Sequence, residues 1–150
     1  MPAVVVEIAE AVVDVLNDAT LSQTFTASRA YAPVFGVQDE DEDDLEELQV
    51  IVVPRELTAV PLARKSSMFD YVIDIGICKR SADTNALIDP LVLFAQEVMD
   101  LFRGKELEGY EQAKCVAVAN NPIYDFAALT QNKAFMSLVT LTFSKSRDVS

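Results

Sequence analysis

Two aspartates four positions apart, Asp70 and Asp74, lie in a stretch that alternates apolar and polar side chains from Met68 to Arg80. Such alternation predicts a β-strand. Phe69, Tyr71, Ile73, Ile75 and Ile77 would share one face, and Asp70, Val72, Asp74, Gly76 and Cys78 the other. Carboxylates on one face of a strand are what a metal-dependent nuclease uses to hold its cations. A second acidic pattern, Asp39, Asp41 and Asp43, has the spacing of the first ligands of a calcium loop. The rest of that loop fails: Asp44 stands where glycine is needed, and Val50 where a bidentate glutamate belongs. Histidine is absent, which removes the commonest general base and the histidine-based metal sites and triads. No glycine-rich phosphate loop is present. Cys78 and Cys115 are far apart in apolar runs and read as buried free thiols.

The phrase Ile73-Asp74-Ile75-Gly76 is similar to the phosphate- or metal-binding strand of sugar kinases and of RuvC-like nucleases. Those sites need further carboxylates or a second phosphate loop, and their strand is usually the first, whereas this one is mid-chain. The plainer expectation is a strand whose second face is partly solvated, with a two-metal nuclease using Asp70 and Asp74 as the alternative.

Charge is the other strong signal. The chain carries a net charge of −12, which opposes non-specific binding to nucleic acid or anionic lipid. Asp39, Glu40, Asp41, Glu42, Asp43, Asp44, Glu46 and Glu47 crowd into one segment and leave the rest only mildly acidic. Residues 38–47 therefore read as a solvated acidic loop. Residues 55–67 carry Arg55, Arg64 and Lys65 against the single acid Glu56, a basic stretch on an acidic chain. No run reaches the roughly 18 apolar residues of a membrane span, so no membrane partner is expected.

The elements that would position these groups follow from periodicity. Residues 3–19 predict a helix, with Glu7, Glu10, Asp14, Asn17 and Asp18 on one stripe and Val5, Ile8, Val12, Val15 and Leu16 opposite. Residues 24–35 read as a strand ending at Pro33, and Leu48 to Val53 as a short strand closed by Pro54. The latter would form a hairpin with Met68 to Arg80 through a loop at 55–67, longer than the usual 2–5 residues. Residues 89–103 predict a second helix, capped by Asp89, with Pro90 at its first position and Gly104 at its exit. Lys114 to Ala119, a turn at Asn121-Pro122, and Ala134 to Lys145 supply two closing strands. The expectation is one α/β (α+β) domain over residues 1–150: an antiparallel or mixed sheet with a long hairpin and two main helices packed on it.

This order resembles the tail-terminator or tail-completion proteins of long-tailed bacteriophages, the group typified by the lambda-like terminator. The resemblance rests on the opening helix and on Arg29-Ala30-Tyr31-Ala32-Pro33. It continues through Val50-Ile51-Val52-Val53-Pro54, the strand from Asp70 to Arg80 and the helix after Asp89-Pro90, and ends at the closing strand Phe135 to Phe143. It implies a virion structural protein rather than an enzyme, built in the host cytoplasm. Such a protein forms a homo-oligomeric ring, usually a hexamer, that caps the tail tube and joins it to the neck. DNA passes through the channel without specific contact. The implied partners are further copies of the chain, a tail-tube protein and a head-completion or neck protein, with no cofactor and no metal. Another structural part of the same particle, a head-completion adaptor or tail-tube subunit, is the nearest alternative. In such a ring Arg55, Arg64 and Lys65 would meet carboxylates of adjacent copies. Asp41, Glu42, Asp43 and Asp44 are expected on the outer or end surface of the ring, solvated or against a basic neck partner, with a place in the channel, where they would repel the DNA phosphates, as the alternative.

Overall fold

The computed structural model describes residues 3–31, 48–81, 84–107, 113–131 and 133–148. The acidic segment 38–47, including Asp41, Glu42, Asp43 and Asp44, lies outside the described residues, as do residues 32–35 of the first expected strand. Helix α1 spans Val4–Asp18, strand β1 Phe25–Arg29, β2 Leu48–Ala63, β3 Ser66–Arg80, helix α2 Asn85–Phe102, β4 Lys114–Asn120, helix α3 Phe126–Gln131 and β5 Ala134–Asp148. The strands form one sheet in the order β1-β2-β3-β5-β4. Only β1 and β2 run parallel; the other neighbours are antiparallel. This is an α+β fold with a mixed sheet.

The alternation read in β3 decides which face is inside. Tyr71, Ile73, Ile75 and Ile77 are buried together with Val139, Leu141 and Phe143 of β5, Ile8, Val12 and Leu16 of α1, and Phe94, Val98 and Phe102 of α2. Phe25 of β1 meets Phe94 edge-on at 5.1 Å between ring centres, an arrangement favoured by the ring quadrupoles. A smaller apolar cluster, Cys78 and Ala134 with Ile51 and Met136, lies on the opposite face.

On α1 the expected apolar side is buried, but Asn17 of the polar stripe is not simply wet. Its amide donates to the Ala27 carbonyl at 3.1 Å and accepts the Ala27 N–H at 2.8 Å. One side chain thus supplies the paired donor and acceptor that a neighbouring strand would give to β1.

Three expectations are corrected. First, β2 does not stop at Pro54. It continues to Ala63, so residues 55–63 are strand rather than loop, and the turn is only Arg64-Lys65. Proline closes a central strand because it lacks an N–H, but an edge strand tolerates it. Val52 turns its carbonyl outward to Ala30, so Pro54, two residues on, also faces outward and removes no bond to β3. Second, α2 begins at Asn85 after Thr84, so Asp89 is no cap and Pro90 lies inside the helix. Among Asn85–Asp89 only Ile88 packs partly against the core. Leu91, Phe94, Ala95, Val98 and Phe102 anchor the rest, which lets the exposed first turn survive the bond lost at Pro90. The expected exit holds: Gly104 adopts φ 73°, where a side chain would be strained. Third, the link from Asn121-Pro122 to β5 contains α3, which packs against β5.

Candidate functional site: a three-stranded arm

Beyond the level of Pro54, β2, β3 and β5 extend together; β4 accompanies β5 as far as Lys114 opposite Ser144, and past that level three strands continue. β3 pairs with β2 out to Ala63 opposite Ser66, and with β5 out to Asp148 opposite Ser66. β1 borders β2 only from Leu48 to Val52, so among the described residues no strand borders the far half of β2. All of its residues from Arg55 to Ala63 are exposed. Leu57, Val60 and Leu62 are each more than half exposed there. A long apolar edge of this kind is one that proteins guard or use. Here Pro54 and Pro61, and bulges between Pro54 and Glu56 and between Pro61 and Ala63, are the guards.

Arg55 is the extra residue of the first bulge. It was expected to face a neighbouring copy, but its cation is engaged within the chain. Its Nε lies 2.7 Å from Asp74 Oδ2, and the guanidinium is 3.9 Å from Glu56. Asp74 also accepts the Thr140 hydroxyl at 2.8 Å and is only 8% exposed. The bulge, the ion pair and the threonine join β2, β3 and β5 at one level of the sheet. Burying a carboxylate is tolerable only with such partners. Arg64 and Lys65 form the tip, exposed and without a carboxylate partner among the described residues.

The second face of β3 is therefore less solvated than the sequence suggests. Asp70 accepts the Ser144 hydroxyl at 2.7 Å. It lies four residues from Asp74 on the same strand, about 13 Å along it at roughly 3.3 Å per residue. Paired catalytic cations sit only about 3.5–4 Å apart, so the two aspartates do not converge on one such site. Among the described residues no group of three or more His, Cys, Asp or Glu side chains could hold a metal ion. No described helix is long and apolar enough to cross a membrane.

Both thiols are buried. Burial pushes Cys78 up to about 12, with a smaller opposing effect of Arg80. Burial also raises Cys115, against hydrogen bonding to the backbone at Ala117 and Thr142. Neither thiol is poised as a nucleophile.

Sequence reading missed the Arg55–Asp74 pair and a cationic cleft at the other end of the sheet. The dibasic Lys79-Arg80 at the end of β3 was the available signal for the cleft. No family model matches the chain, and no curated protein matches it in sequence.

Proposed function

We propose that this chain is a structural subunit of a long-tailed bacteriophage particle, a tail terminator whose copies close into a ring between tail tube and neck. The observation that carries this reading is the arm: a regular three-stranded extension whose apolar outer edge is left unpaired by the described residues. A rigid extension costs little further ordering when it docks, unlike a loop that must first be immobilised. Laid against an adjacent copy, it would cover Leu57, Val60 and Leu62 and bring Arg64 and Lys65 towards the carboxylates of an acidic neighbour. Contacts of that head-to-tail kind generate closed rings when the rotation closes. Charge complementarity at the tip would set register and encounter rate more than affinity. The negative net charge suits a channel through which DNA passes without sticking.

The test is light scattering after size exclusion, with negative-stain imaging of the same fractions. Wild type is expected as a ring. The pair Arg64→Glu and Lys65→Glu is expected to keep its circular dichroism and lose ring formation. A wild-type chain that stays monomeric at high concentration and is missing from purified virions overturns the proposal.

A further inference from the structure

At the end of the sheet away from the arm tip, a cleft of about 560 Å³ opens between the start of α2 and the ends of β3 and β5. Lys79, Arg80 and Lys133 line one side; Ala86, Leu87 and Pro90 line the other. Lys79 and Lys133 thus bring two of the chain's 12 cations to one depression on a molecule of net charge −12. The backbone holds them together: Arg80 pairs with Ala134 in the ladder, and the Ser81 N–H donates to the Lys133 carbonyl at 2.8 Å. Lys79 and Lys133 have no carboxylate partner among the described residues. Like charges lining one cleft favour an anion there.

We infer that this cleft docks an acidic peptide segment of a partner protein, its carboxylates on Lys79 and Lys133 and an apolar side chain against Leu87. Two features select a peptide over a nucleic acid. Leu87 is 52% exposed and offers an apolar seat that a sugar–phosphate backbone has no use for. The net charge of the chain repels a polyanion more strongly than it repels a short peptide carrying a few carboxylates. This inference stands on the cleft alone and does not depend on ring formation.

The probe is a capped peptide of four glutamates flanking a leucine–phenylalanine pair, titrated at physiological salt against the full chain. The same peptide with glutamine for glutamate, and a short DNA duplex, are measured alongside. Saturable binding of the acidic peptide is expected, weakened about tenfold by Lys79→Glu with Lys133→Glu, as loss and reversal of two exposed ion pairs would give. Lys133→Gly removes one cation at a backbone position, φ 52°, that suits glycine. It is expected to weaken binding several-fold without lowering thermal stability, so that lost binding is not lost folding. Leu87→Ser is expected to weaken the peptide and leave the fold intact. Equal binding of the glutamine peptide, tighter binding of the duplex, undiminished binding by the charge-reversed chain, or no binding by the wild type would each overturn the inference.

Discussion

Replacing Arg55 by methionine keeps most of the aliphatic length and removes the cation that faces Asp74. The Asp74 side chain is 11% exposed and its pair lies at 2.7 Å, so the carboxylate would be left with the Thr140 hydroxyl as its remaining described partner. Stranding one member of a fully buried pair costs about 3–5 kcal/mol. The Arg55 side chain is 49% exposed, so water partly replaces it, and about 2 kcal/mol is the better expectation. That corresponds to a fall in Tm of roughly 4–8 °C for a chain of this size. Asp74→Asn should behave differently. Asparagine keeps an acceptor for Thr140, the desolvation of a charge disappears, and Arg55 turns to solvent. Its cost should stay within about 1 kcal/mol. The double variant should resemble Asp74→Asn rather than the sum of the two changes, because the damage in Arg55→Met is the stranded carboxylate. Urea unfolding followed by circular dichroism reads this as shifts in midpoint at constant slope. A double variant as unstable as Arg55→Met would refute the reasoning and assign the loss to packing at the bulge.

Asn17→Ala removes both hydrogen bonds to Ala27 and should cost roughly 1–2 kcal/mol by the same assay. Phe94→Ala, at a site with no exposed surface and against Phe25, should cost about 3–5 kcal/mol and leave little folded protein at 37 °C. Cys78, with its ionisation pushed up to about 12, should resist a thiol-reactive disulfide reagent until the chain unfolds. The same displacement bears on pH. In the unfolded chain the thiol loses its proton near its ordinary value of 9.0, and in the folded chain only near 12. The folded state therefore holds more protons across that interval, and stability should fall as pH rises from about 9 to 12. A Cys78→Ala chain should show a flatter decline.

Helical and strand periodicity were legible wherever one face alone met the core: α1, β3 and β5 fall where alternation places them. Misreadings came where a local rule gave way to tertiary position. Pro54 reads as a strand end, but whether a proline breaks a strand depends on which neighbour its nitrogen faces, and β1 was needed to show that. Pro90 reads as a helix start, but the anchored face behind it carries one exposed turn further. The six residues of α3 are too few to display a period. The partnership of Arg55 with Asp74 was hidden because it crosses from β2 to β3 at a bulge, and spacing along a single strand says nothing about register. The unexplained length of the basic loop was the one local hint, and the continuing strand resolves it.

The full-length pairing of β3 with β5 has a consequence for timing. Asp74 and Thr140, partners across that ladder, are 66 residues apart. At ordinary elongation rates of about 5–20 residues per second, several seconds separate their synthesis. Throughout that interval β3 has β2 on one side and nothing on the other, and a two-stranded ribbon alone is at best marginally stable in water. The arm becomes rigid only when β5, the final strand described, zips along all of β3. A growing chain thus has no rigid extension until its last described strand is made, and a chain cut short before β5 would never acquire one. The central position of the sheet is reserved for partners made early and late.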